Sequence, residues 1–211
     1  MSSKVLNRQD TRLLLIQAGT NVMLEKGYTN SGIQEVLSKV GVPKGSFYHY
    51  FDSKEDFAIA IIEEFDNDFT STQLPLLRDE SISPKQRLRM HCENKIECMR
   101  SSQCRKGCLL GNLSQEMADQ SEVLRHALST VMGKWTDMFA ACIEAGQQNG
   151  EIPKFSNPQK IAEFLISGWE GAVMRAKTIK SLEPLETFME LMFDHILNPD
   201  SKPTSTPPKK I

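Results

Sequence analysis

Residues 31–50 read SGIQEVLSKVGVPKGSFYHY. Ile33, Val36, Leu37 and Val40 fall at helical spacing and predict a short amphipathic helix. Ser31, with Gln34 three residues on, has the form of a capping box at its start. Gly41 suits the left-handed position that ends a helix. Gly41-Val42-Pro43-Lys44 then makes a tight turn, and a second short element is predicted from Lys44 to Tyr50. Two short helices around a tight glycine turn have the layout of a helix-turn-helix, whose second helix enters the major groove of DNA.

The second element carries what such docking requires. Lys44, Ser46, Tyr48 and His49 offer donors, while Phe47 and Phe51 can anchor it inward. Gly45 has no side chain, so the backbone can approach a phosphate closely. Lys54 falls in the first turn of the next helix, where a cation and backbone amides together suit a phosphate. The plainer alternative is a three-helix packing unit in which Tyr48, His49 and Tyr50 serve only core or surface.

On either side the chain reads helix after helix, an all-α fold of about nine helices. A first helix is expected from Asp10 to Gly27, burying Leu13, Ile16, Thr20 and Met23 or Leu24. Ser53 with Asp56 forms a second capping box, opening a fourth helix toward Phe69. Ser71 to Ser83, with Pro75, reads as looser chain. Ser83-Pro84 restarts a helix through Leu88, Cys92, Ile96 and Met99. Residues 101–113 read as irregular, with Gly107 and Gly111, and a helix is expected from about Ser114. A long helix follows from Ser121 to Asn149, then one from Pro158 and a last one from Pro184 to Leu197. The division expected is residues 8–68 for the DNA-binding unit, with its motif at 31–50, residues 69–198 for a second helical unit, and a Pro-rich disordered tail at 199–211.

The net charge of −2 is unevenly spread. Residues 1–54 carry seven Lys or Arg against four acids, a surplus of +3. A basic head on an acidic body fits a protein that meets a polyanion through its head alone. The 211 residues are 39% hydrophobic and 25% charged, enough to bury a core. No apolar run reaches the ~18 residues of a membrane helix. The N-terminus has no apolar signal core, and the five cysteines are odd in number, so a reduced, cytoplasmic chain is expected. No C-x-x-C pair, phosphate loop or metal cluster appears, so no metal or cofactor is expected.

Gly41-Val42-Pro43-Lys44-Gly45-Ser46-Phe47-Tyr48-His49-Tyr50-Phe51, followed by Lys54, resembles the signature of TetR-family transcriptional repressors over residues 10–65. Pro43 departs from the Ser or Thr often found as the cap of that family's recognition helix. The resemblance implies that Lys44, Ser46, Tyr48 and His49 face bases or phosphates, with Thr29, Ser31 and Lys54 on the DNA backbone. It further implies a homodimer through residues 158–180 and 184–197, bound to a palindromic operator, and an effector domain that acts on the DNA through the fourth helix.

Gly107-Cys108-Leu109-Leu110-Gly111-Asn112-Leu113-Ser114-Gln115-Glu116 and Gly168-Trp169-Glu170-Gly171-Ala172-Val173-Met174-Arg175-Ala176-Lys177 resemble the acrylate-responsive branch of that family. The electrophile-responsive repressors share Cys108 and Lys177. Arg105 and Lys106 precede Cys108, and cations favour the nucleophilic thiolate. Lys177 lies two turns beyond Trp169 and one beyond Val173 on one helix face, where it can pair with a thiolate or a ligand carboxylate. Trp135, Phe139 and Trp169 suit the core, or the wall of a small-molecule pocket with Val173. Cys92 and Cys142 read as core, Cys98 and Cys104 as incidental, and His91 and His126 as helix-surface residues. Two rival readings remain. One is a helical thiol enzyme using Cys108, for which no oriented base is evident. The other is a repressor with an unrelated hydrophobic ligand.

Overall fold

The computed structural model describes residues 8–199, apart from the Lys44 side chain, and every regular element among them is helical. In chain order these are α1 (Arg8–Lys26), α2 (Ile33–Val40), a 3₁₀ turn (Lys44–His49), α3 (Lys54–Arg78), α4 (Pro84–Ser101), α5 (Leu109–Met117), α6 (Glu122–Gln148), α7 (Pro158–Ile179) and α8 (Glu183–Glu190). A π-helical turn, Leu191–Ile196, extends α8. Apart from Pro199, the expected tail lies outside the described residues. No described helix is long and apolar enough to cross a membrane.

The head is built on α1, α2 and the start of α3. Gly41 ends α2 at φ 68°, a conformation that costs a side-chain-bearing residue steric strain, and its N–H returns to the Leu37 carbonyl. The turn then aims Phe47 and Phe51 inward, both fully buried. Their rings pack on Phe57 of α3 at centroid distances of 5.3 and 4.6 Å. This aromatic cluster, closed by the Arg12 guanidinium over Phe51, fixes the recognition turn against α1 and α3.

Several local expectations are corrected. The capping box at Ser31 does not form, since Gly32 is the cap residue and the Ser31 hydroxyl donates to the Tyr28 carbonyl. In α1 the buried face is Leu15, Ile16, Gly19, Val22 and Met23, whereas Leu13 is exposed. Helix α3 does not stop near Phe69. It continues through Pro75 to Arg78, because Gln73 and Leu77 are buried and the Arg87 guanidinium donates to the Leu77 carbonyl at the helix end. Helix α5 starts at Leu109, inside the stretch read as irregular, with Cys108 at its cap. Cys104 is buried, in a small cluster with Met99, Val173, Ala176 and Leu185.

Helix α6 is the axis of the larger part, packed by α3, α4, α5 and α7. Ser121 starts it by accepting the Leu124 N–H, and Asn157 starts α7 by accepting that of Lys160. Trp135 of α6 stacks on Phe69 of α3 at 3.7 Å. Its indole N–H donates to Asp66 at 2.8 Å, and that carboxylate also receives Lys134 at 2.6 Å. Helix α3 is thus anchored at its start in the head and at its middle in the larger part.

Candidate nucleic-acid interface and effector cavity

The 3₁₀ turn presents Tyr48, 63% exposed, with Gly45 and His49 also at the surface and Ser46 half-buried. A Cβ at Gly45 would meet nothing, so the backbone there is open to approach. Arg8, at the start of α1, donates to the His49 carbonyl at 2.7 Å and brings a guanidinium beside the turn. Sequence reasoning missed it, since only its place in the first turn of α1 marks it. Lys26 and Lys39 both face Glu35. That leaves Arg8, Arg12 and Lys54 as the head's other described cations on structured elements. The Lys44 side chain lies outside the described part.

Two backbone-contact candidates are placed differently from expectation. Ser31 is only 2% exposed and its hydroxyl is spent on Tyr28, so it offers no surface donor. Lys54 is half-buried, with Nζ over the Tyr28 ring at 4.6 Å and donating to the Thr29 carbonyl at 3.3 Å. Burial lowers its pKa, and the charge of Glu116 acts against that.

Glu116 belongs to α5, yet its carboxylate accepts the backbone N–H groups of Tyr28 and Thr29, each at 2.7 Å. Burial alone raises this carboxyl, but the Thr29 and Tyr28 bonds and the Lys54 charge outweigh it and hold it below the usual carboxylate range. The Ser121 hydroxyl adds a bond to Glu55 of α3, and Lys106 one to Asn21 of α1. The larger part therefore grips the head chiefly through the far end of α5.

The near end of α5 opens on a cavity of ≈ 250 Å³ lined by Cys108, Trp135, Phe139, Trp169 and Val173, together with His91 and Glu170. The aromatic candidates are thus core and cavity wall at once. A wider cleft of ≈ 980 Å³ at Leu77, Arg87, Gly133 and Asp137 is more open and holds none of the predicted effector residues.

The chemistry around Cys108 differs from expectation. Arg105 is exposed, and Lys106 is turned to Asn21. Cys108 is half-buried; burial raises the thiol's pKa, and the adjacent Glu170 carboxylate raises it further. N–H groups of Gly111 and Leu110 reach the sulfur and act in the opposite direction without prevailing. These effects favour the neutral thiol of Cys108 beside Glu170, whose own pKa is raised by burial against the opposing effects of the thiol and the Lys177 charge. A Cβ at Gly111 would collide with the Glu170 carboxylate, so a side chain there would push this carboxylate aside. Lys177 packs across Gly107 and donates to Asn112 at 3.0 Å. Burial, then Lys180, lowers its pKa.

His91 is not on the surface. It is 5% exposed, and Nδ1 meets Gln73 Oε1 at 2.7 Å. Burial, and then Lys95, pushes its pKa down to about 3, so the ring is neutral. Among the described residues, no group of three or more His, Cys, Asp or Glu is arranged to hold a metal.

Residues 15–61 match the family model of bacterial regulatory proteins of the tetR family, and residues 84–192 that of the tetracyclin repressor-like C-terminal domain. The chain is 37% identical to the HTH-type transcriptional repressor DhaR of Mycobacterium sp. (strain GP1), over 90% of this chain and 94% of that one. It is 31% identical to the HTH-type transcriptional repressor NemR of Escherichia coli (strain K12), over 90% and 96%. A crystal structure of the regulatory protein TetR from Rhodobacter sphaeroides matches with a TM-score of 0.81 at 39% identity, over 86% and 95% of the two chains. With its fold, its helix-turn-helix and relatives of this similarity along most of its length, the chain belongs to the TetR family of DNA-binding transcriptional regulators.

Proposed function

We propose that the protein is a homodimeric repressor that leaves a palindromic operator when a small electron-poor effector enters the ≈ 250 Å³ cavity and reacts with Cys108. The observation that carries this reading is the position of α5. One end is capped by Cys108 at the cavity, and the other holds the α1–α2 turn of the head through Glu116. A change at the thiol acts on a rigid nine-residue helix whose last turn positions Thr29 beside the recognition unit. Helix α3, which continues from the head into the larger part, moves with it.

In the covalent step the Cys108 S–H proton passes to Glu170 as sulfur bonds to the β-carbon of a conjugated alkene. The π pair moves onto the α-carbon and its carbonyl, and the proton then returns to the α-carbon. The raised basicity of Glu170 suits it to this exchange.

The dimer forms through α7 and the α8 region. Phe164, Met174 and Leu191 leave large apolar groups exposed there. A two-fold axis at this face sets two recognition turns about 34–36 Å apart, the spacing of successive major grooves. Tyr48, His49, Ser46, Gly45 and Lys44 then meet bases and phosphates, with Thr29 and Lys54 on the backbone. Effector binding needs only to favour the off-operator state by about 2–3 kcal/mol to change occupancy 30- to 150-fold.

The test is a salt-controlled operator titration with and without N-ethylmaleimide, on wild type and Cys108→Ser. Release of wild type alone supports the reading. Equal release of both proteins removes Cys108 from it.

A further inference from the structure

A second polar group faces the cavity, and it defines the effector more narrowly than the thiol does. Thr72 Oγ1 donates to the Asp68 carbonyl at 2.8 Å and accepts Gln73 Nε2 at 3.0 Å. This fixes the Gln73 amide so that its oxygen, a pure acceptor, meets His91 Nδ1. With the amide so oriented we assign the imidazole proton to Nδ1, which leaves the lone pair on Nε2. Nδ1 is taken by Gln73 and His91 lines the cavity, so Nε2 is the ring nitrogen left for a guest there. The neutrality imposed by burial keeps that lone pair available.

The surroundings suit a flat, uncharged guest. His91 stands edge-on to Phe69 and Phe139 at 5.6 and 5.0 Å, beside the Phe69–Trp135 stack. The ammonium groups on the wall are already engaged, Lys106 by Asn21 and Lys95 over the Phe69 ring. Glu170 opposes an anion at the other end. An apolar cavity of about 150 Å³ takes up benzene, so ≈ 250 Å³ leaves room for a ring with a substituent or two.

We propose that the effector is a small uncharged ring bearing a hydrogen-bond donor, a phenolic or enolic hydroxyl or an imide N–H, and that His91 Nε2 receives this donor. The inference rests on the cavity being the effector site, but not on covalent capture by Cys108. A guest without a donor strands the Nε2 lone pair, which costs affinity by about three- to tenfold.

Phenol and anisole are a matched pair that differ in the donor and do not alkylate thiols. Calorimetric titration of the full-length protein is expected to show phenol binding about three- to tenfold tighter than anisole, with the gap closing in His91→Phe. In ¹⁵N-histidine-labelled wild type, phenol is expected to shift the Nε2 resonance of His91 while anisole does not, a readout that needs no variant to fold. Equal affinity with an unmoved resonance overturns the role of His91 and leaves the cavity reading standing. If neither compound binds, and neither slows Cys108 alkylation by N-ethylmaleimide, both the inference and the cavity as effector site are overturned.

Discussion

Glu116 Oε1 stands 2.7 Å from the backbone nitrogen of Thr29, eighty-seven residues earlier in the chain. Its other oxygen takes the Tyr28 N–H at the same distance. One carboxylate thus closes two otherwise open donors in the turn that leads into the helix-turn-helix. Replacing Glu116 by Ala returns both N–H groups to water. Their hydrogen exchange should quicken at least about tenfold, since a charge-assisted bond is worth about 1.5–3 kcal/mol. Operator binding should survive while release by effector is blunted, as read by paired titrations. Unchanged exchange at Tyr28 and Thr29 would mean that the clamp does not exist in solution.

The Cys108–Glu170 pair predicts an unusual pH profile. A free raised thiol would react about tenfold faster per pH unit, because only thiolate attacks. Here the base is built in. Once Glu170 is ionised, proton transfer within the pair makes the alkylation rate nearly independent of pH. Glu170→Gln removes the base and should restore the tenfold-per-unit rise. Stopped-flow alkylation with mass-spectrometric assignment to Cys108 checks this, and a steep rise in wild type would refute the role given to Glu170.

Asp66 is 8% exposed and takes three donors, from Trp135, Lys134 and Thr70. Asp66→Ala strands the buried indole N–H and loosens α3 from α6. A loss of about 2 kcal/mol is expected, measured as a lower denaturant midpoint. Lys134→Ala removes an ammonium that is half in water and should cost less than about 1 kcal/mol.

The exposed apolar groups on α7 give a separate prediction. Phe164 and Met174 are each more than half exposed in the single chain. Phe164→Asp with Met174→Asp should leave helix content intact and convert a dimer to a monomer in sedimentation. Operator affinity should fall at least about a hundredfold, because one recognition unit contacts too little DNA. A fully dimeric double variant would move the interface elsewhere.

The helix-turn-helix was legible because its signals are local. Gly41, Phe47 and Phe51 each do at short range what their residue type announces. Glu116, Glu170 and His91 were not legible as site residues, because what gives them meaning comes from distant chain. Gly107 and Gly111 read as loop glycines, whereas Lys177 and Glu170 of α7 demand the space they leave. Periodicity placed His91 on a helix and could not show that Gln73, eighteen residues upstream, would receive it in the core. The cations beside Cys108 in sequence point elsewhere in space, so the expected thiolate is a neutral thiol. Pro75 looked like a breaker, but burial of Gln73 and Leu77 carries α3 past it, and α4 supplies an arginine to the Leu77 carbonyl where the helix ends.

The most direct test of the account is selection of duplexes from a random-sequence pool by the full-length protein, followed by titration of the winning site at fixed salt with and without N-ethylmaleimide. A palindrome with half-sites one helical turn apart is expected, bound by a dimer, released on alkylation of wild type and retained by Cys108→Ser. Enrichment of no sequence would contradict the DNA-binding role of residues 31–50, and a site held equally well after stoichiometric Cys108 alkylation would contradict the link through α5.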